Sequence, residues 1–312
     1  MAGYNTSDIS FAIIKEIEDG KTPTTGAWLR IDHVPGTSPA FTTDSIESPV
    51  KQAKRASAGN RKTNPRAEGG LKTHLCRDAA IELLMQSAVS GVWLEAGDVG
   101  EGDDILKAGD KDTSLTIEKR ITGAAELFMR YTGCQVTKMT LTCDASANAE
   151  ISFDILGMGR VTAQIPVAGM TYADASTNLK LAGEDVNTVT IGGLTEVTFR
   201  SLELTIEQTR EAKDRFGSIS AFGIGASGNR KVTLKLSFYR ENFQPETVLG
   251  GNAAVPVSFT IGGEGEGFKF DLPLATATIP ADVEDGAKLL VDVEFMAKYD
   301  NVSGTDFQIT RL

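Results

Sequence analysis

Two well-separated stretches of this 312-residue chain follow one plan: strand-forming residues, a long segment rich in Arg and Lys, a second strand, then a short helix. The first reads FTTDSIESPVKQAKRASAGNRKTNPRAEGGLKTHLCRDAAIELLMQSAVSG and the second FRSLELTIEQTREAKDRFGSISAFGIGASGNRKVTLKLSFYRENFQPETVLGG. Strands with Gly-rich turns follow each, ending in NAEISFDILG or KLLVDVEFMAK. A long-period repeat constrains architecture before any local signal does. It predicts a mainly β chain in which one β-rich module, a sandwich or a barrel wall, is used twice. The first module is expected over 1–165, with a long basic loop at 50–72, a helix near 76–89 and an acidic insertion at 91–112. A polar linker is expected over 166–194 and the second module over 195–312.

The strand predictions rest on period-2 alternation, the mark of a sheet with one face buried and one wet. In SLELTIE, Leu202, Leu204 and Ile206 oppose Ser201, Glu203, Thr205 and Glu207. In KVTLKLSF, Val232, Leu234, Leu236 and Phe238 oppose Lys231, Thr233, Lys235 and Ser237. In LVDVEF, Val291, Val293 and Phe295 oppose Asp292 and Glu294; in EISFDI, Ile151, Phe153 and Ile155 oppose Glu150, Ser152 and Asp154. The wet faces carry acids, diluted by Lys231 and Lys235. CRDAAIELLMQSAV carries the apolar stripe of a packed helix.

The segment from Lys51 to Lys72 holds Lys51, Lys54, Arg55, Arg61, Lys62, Arg66 and Lys72 against one acid, Glu68. Its glycines, asparagines and proline predict a loop or an extended hairpin arm. Loops beyond about 12–15 residues tend to be functional or disordered. The segment Arg210–Arg230, with Lys213 and Arg215, is its counterpart.

Composition narrows the function classes. With 31 basic and 42 acidic residues the net charge is −11, which disfavours a protein that wraps nucleic acid on a basic surface. The N-terminal residues lack a signal-peptide layout and no apolar run approaches the roughly 20 residues of a membrane helix, so a cytoplasmic site of synthesis is expected. Cys76, Cys134 and Cys143 then read as reduced thiols. GIGASG at 223–228 matches a dinucleotide fingerprint in letters, but a strand follows it where the chemistry needs a helix N-terminus. The acids of 91–112 lack calcium-loop spacing, and His33 and His74 have no ligand or nucleophile pattern around them. No catalytic, cofactor or metal site is expected.

Several stretches resemble the major tail tube proteins of tailed bacteriophages, in the branch with long non-contractile tails. They are FAIIKEIEDGKTPTTGAWLRI, AEGGLKTHL with its helix, LTIEKR…YTGCQVTKMTLT…AEISFDILGMG, and FKFDLPLATATI…VDVEFMAKYD. The resemblance spans nearly the whole chain. It implies tail-tube modules whose sheets join neighbouring copies into a β-barrel ring, with rings stacked into a hollow conduit for DNA during genome ejection. The type VI secretion tube protein shares this fold.

Six modules make a usual ring, so two per chain imply a trimeric, pseudo-hexameric ring; a hexamer is the alternative. The implied partners are the chain itself, the tape measure, terminator and tip proteins of the tail, and DNA in transit without specific binding. The implied location is the virion tail. Within this reading, Glu150, Asp154, Glu203, Glu207, Asp292 and Glu294 are expected to line the lumen. Lys54, Arg55, Arg61, Lys62, Arg66, Arg210, Lys213 and Arg215 are expected to bridge successive rings. Other readings are a contractile-tail or secretion tube, a β-sandwich module decorating a virion, and a hydrolase using paired carboxylates.

Overall fold

The structure, a computed structural model of the chain, describes residues 3–50, 59–94, 104–195, 197–218 and 220–312. The first half runs β1 (Ile9–Lys15), β2 (Ala27–Ile31), β3 (Ala40–Glu47), β4 (Asn60–His74), α1 (Ala79–Val89), β5 (Trp93–Leu94), β6 (Ile105–Lys107), β7 (Leu115–Ile121), β8 (Leu127–Asp144), β9 (Glu150–Gly157) and β10 (Gly159–Ala163). The remainder runs β11 (Thr171–Ala173), β12 (Val186–Ile191), β13 (Phe199–Glu207), β14 (Arg210–Lys213), β15 (Gly223–Ala226), β16 (Lys231–Tyr239), α2 (Gln244–Leu249), β17 (Val255–Ile261), β18 (Phe268–Ala277), β19 (Ala281–Asp285), β20 (Lys288–Ala297) and β21 (Gln308–Arg311). The chain is mainly β.

One long antiparallel wall crosses both halves in the order β3–β4–β9–β8–β13–β16–β20–β19. Two further layers cover its apolar face. One is β11–β2–β1–β7–β8–β10, the other β12–β17–β18–β21–β6–β5. Two strands pass from layer to wall. The start of β8 pairs with β7 and β10 and its end with β9 and β13. The start of β18 pairs with β17 and β21 and its last residues with β20. The pairing order β3–β4–β9–β8 therefore recurs as β13–β16–β20–β18, and α1 and α2 follow β4 and β16 at the same distance. Among the described residues of the single chain the wall stays open: β3 pairs only with β4 and β19 only with β20.

A shared apolar core holds the layers together. Leu71, Leu84, Leu141, Phe153, Leu204, Leu234, Phe259, Phe270 and Val293 belong to one buried cluster spanning both halves. Phe259 stacks on Phe270 with ring centroids 4.8 Å apart. Burying such a side chain contributes roughly 1.5–3 kcal/mol, so the alternating strands are held face-in by their own sequences. Asp78 starts α1, its carboxylate accepting from the Ala80 N–H at 2.7 Å. Ser90 ends it in the left-handed region.

Three expectations change. The stretches ELFMRYTG and CQVTKMTLTC, which read in the sequence as two strands parted at Gly133, form one strand, β8, running straight through that glycine. Gly133 adopts φ +65°, and a Cβ there would lie 2.3 Å from Met158 Sδ. It is a crossing point between layers, not a turn. The segment expected as a linker contributes β11 and β12, and buries Leu181 and Ile191. The acidic insertion contributes β5 and β6 at its edges, because Trp93 and Leu106 are apolar enough to extend the layer beyond β21; residues 95–103 lie outside the described residues.

Candidate functional site

The candidate site is the wet face of the wall, its two open flanks and the two hairpins that leave it. All six acids expected on the lumen fall on that one face, because each alternates with buried neighbours along β9, β13 or β20. Cross-strand register brings them into rows. Glu150, Thr142, Glu203, Lys235 and Glu294 stand side by side in one. Asp154, Lys138, Glu207 and Lys231 form another. Glu150, Glu203, Asp292 and Glu294 also line an open trough of about 980 Å³ in this face.

The rows correct the impression of a plainly acidic surface. Lys72 and Lys138, which alternation alone did not place here, join Lys231 and Lys235 on the face. Lys72 Nζ lies 2.5 Å from Glu150, Lys138 3.2 Å from Glu207 and Lys235 3.4 Å from Glu203. These pairs are partly exposed, so each is worth at most about 1 kcal/mol. Among these ten residues six carboxylates stand against four lysines. A β-bulge between Val136 and Lys138 shifts the phase of β8 and brings Lys138 to the wet side.

The seam between β8 and β13 joins the halves inside the chain. It runs from Asp144 opposite Ser201 to Lys138 opposite Glu207. Leu204 and Leu141 are buried beneath it. At one end Arg200 hydrogen-bonds Asp144, and this bond holds the Asp144 carboxyl below its ordinary value of 3.8.

The hairpins differ in their engagement. The described part of the basic segment, from Asn60 on, is one arm of an extended hairpin: β3 and β4 pair from Ala40 opposite Glu68 to Glu47 opposite Asn60. Arg61 and Lys62 are exposed near its end and have no polar partner among the described residues. Arg66 is tied to Glu68 within the hairpin. Lys54 and Arg55 lie outside the described residues.

The second hairpin, β14–β15, keeps Lys213 and Arg215 exposed, with Phe216 fully exposed beside them. Arg210 departs from expectation. It is no projecting loop charge, because its side chain is wholly buried within its own chain. Its guanidinium donates to Val136 O at 3.0 Å, Gln135 Oε1 at 2.5 Å, Asp112 Oδ1 at 2.8 Å and Ser90 Oγ at 2.9 Å. The planar fork of arginine suits this set of acceptors, and the end of α1 adds the negative end of a helix. Arg210 therefore fastens the second hairpin onto the first half.

The described residues hold no cluster of three or more His, Cys, Asp or Glu able to bind a metal. All three cysteines are buried and unpaired, and burial pushes the Cys143 thiol up to about 11. No helix among the described residues is long and apolar enough to cross a membrane.

No curated protein matches the chain significantly. A family model described as phage tail tube protein matches residues 6–297, the span that includes the wall and both hairpins. The chain belongs to the phage tail tube protein family and is a structural component of the virion tail.

Proposed function

We propose that three copies of this chain close into a ring whose walls form one continuous barrel, and that stacked rings make the conduit through which DNA leaves the virion. The observation that carries this reading is the pair of open flanks on a wall that already contains one finished seam. An exposed sheet edge is a template for another strand, and closure removes it. The recurrence of β3–β4–β9–β8 in β13–β16–β20–β18 supports two equivalent modules per chain. The β3 side of one copy then meets β18 and β19 of the next, as β13 meets β8 within the chain.

Size favours three chains over six. Each wall holds eight strands. With strands about 4.8 Å apart and tilted 35–45°, three chains enclose a barrel roughly 45 Å across at the backbone. Six chains enclose roughly 90 Å, far wider than one duplex needs. The rows of carboxylates balanced by lysines suit transit. Net negative charge opposes phosphate binding, and salt limits that repulsion to about 8–10 Å from the wall.

For stacking we assign Arg61 on the first hairpin and Lys213 and Arg215 on the second, with Lys54 and Arg55 of the same basic segment as further candidates. Assembly in the host cytoplasm, with tape measure, terminator and tip proteins as partners, follows from the same reading.

The register gives the test. Thr205 lies opposite Thr140 across the internal seam. In the equivalent rows of the two modules, Ala40 runs through Glu68 to Leu156 on one flank as Thr205 runs through Thr233 to Met296, and Ala281 meets Asp292 on the other as Thr140 meets Ser152. The external seam therefore sets Ala40 against Ala281 of the next copy. A chain carrying Ala40→Cys and Ala281→Cys, oxidised after assembly, is expected to give disulfide-linked chains up to circular trimers on a denaturing gel. Links extending to six chains, or none in visible tubes, refute the arrangement.

A further inference from the structure

The first half of the chain has a socket that its own second half fills. Arg210 reaches the last turn of α1, donating to Ser90 Oγ and to Ser87 O at 3.5 Å. Arg230 donates to Val89 O at 3.1 Å and Gly109 O at 2.9 Å. Two cations thus satisfy the end of one helix, where carbonyls lack intrahelical donors. The salt bridge from Arg210 to Asp112, just before β7, completes the lock.

The second half has the corresponding socket without an occupant. Among the described residues, no donor reaches the carbonyls of Thr247, Val248 and Leu249 at the end of α2. The turn that follows, 250–253, is exposed, and Gly251 has open space around it. Counting back from the first residues of β7 and β17, Asn252 holds the place of Asp112. Counting along the wall, Ser45 holds the place of Arg210. Directly across the hairpin from Ser45 stands Lys62, exposed and unpartnered among the described residues. Among the described residues, each chain therefore carries one filled socket, one open socket and, in Lys62, one unpartnered cation.

We propose that the β3–β4 hairpin of one copy lies across the second half of its neighbour, with Lys62 at the end of α2 beside Asn252. This rests on the ring reading and adds a second contact to it, separate from the strand seam. The partner is another copy of this chain. The contact is lateral, between neighbouring chains of one ring. The two sockets are not interchangeable: the internal one is locked by a buried arginine and a carboxylate, and the external one uses a lysine and an amide. The external joint is accordingly the weaker.

The test uses the full chain assembled into tubes. Lys62→Cys with Asn252→Cys, treated with a short bifunctional thiol reagent, is expected to link separate chains; the buried native cysteines leave the background low. Lys62→Glu is expected to raise the protein concentration needed for tubes by about tenfold, and adding Asn252→Lys to restore it. If Ala40→Cys and Ala281→Cys link chains while the Lys62–Asn252 pair does not, the hairpin contact is wrong and the ring stands. If neither pair links in visible tubes, the ring arrangement fails and this contact fails with it. Equal loss in Lys62→Glu and in the charge-swapped pair also overturns the assignment.

Discussion

Replacing Arg210 with Ala tests whether the second hairpin is fastened by that one side chain. The substitution removes four hydrogen bonds of 2.5–3.0 Å, to Val136 O, Gln135 Oε1, Asp112 Oδ1 and Ser90 Oγ. Gln135 is buried and cannot recover its bond from bulk water. Breaking a buried ion pair by deleting one partner costs about 3–5 kcal/mol. The Asp112 side chain is 36% exposed and rehydrates in part, which brings the expected loss to about 3 kcal/mol. Arg210→Lys keeps the charge but not the fork, and about half that loss is expected. Urea unfolding of unassembled subunit, read by fluorescence, measures the difference. Trypsin gives a second reading: with the hairpin unfastened, cleavage after Lys213 and Arg215 is expected to accelerate. A loss under 1 kcal/mol with unchanged cleavage would show that the hairpin is held by something else.

Other consequences are as direct. Leu204→Ala empties a fully buried position under the internal seam, and a loss of about 3 kcal/mol is expected in urea unfolding. Gly133→Val forces a β-branched side chain into φ +65° and into Met158; little soluble protein is expected on expression, whereas Gly263→Ala, with open space around it and no left-handed φ, folds. The Asp144 carboxyl is depressed by Arg200, so its contribution to the seam is complete above its ordinary value of 3.8 and is lost as pH falls through its depressed value. Arg200→Gln should flatten the acid limb of a stability-against-pH curve, and an unchanged limb would count against the pairing. Serine at Lys213 and Arg215 is expected to leave the subunit folded but shorten tubes seen by negative-stain microscopy.

The strands most legible in the sequence are those with one face in the core. β9, β13, β16 and β20 alternate cleanly because each must bury every second residue while the others meet water. β8 was harder to read. Gly133 has the look of a turn, and the bulge at Val136 breaks the alternation that follows. Lys72 and Lys138 were hidden for related reasons, one inside an apparent loop and one beyond a phase shift. Arg210 was illegible in principle. Its acceptors come from residues 74–123 positions away in the chain, and only the pairing of β13 with β8 brings them near. Strand order is likewise a property of contacts between distant segments, which local periodicity does not encode.

The seam between β8 and β13 has a consequence for how dilution acts. Its two strands sit on one polypeptide, so each sees the other at an effective concentration that no change in solution can alter. That joint forms on folding and persists in the thinnest solution. Only the joint between separate copies answers to mass action, and in the proposed ring three such encounters complete the circle.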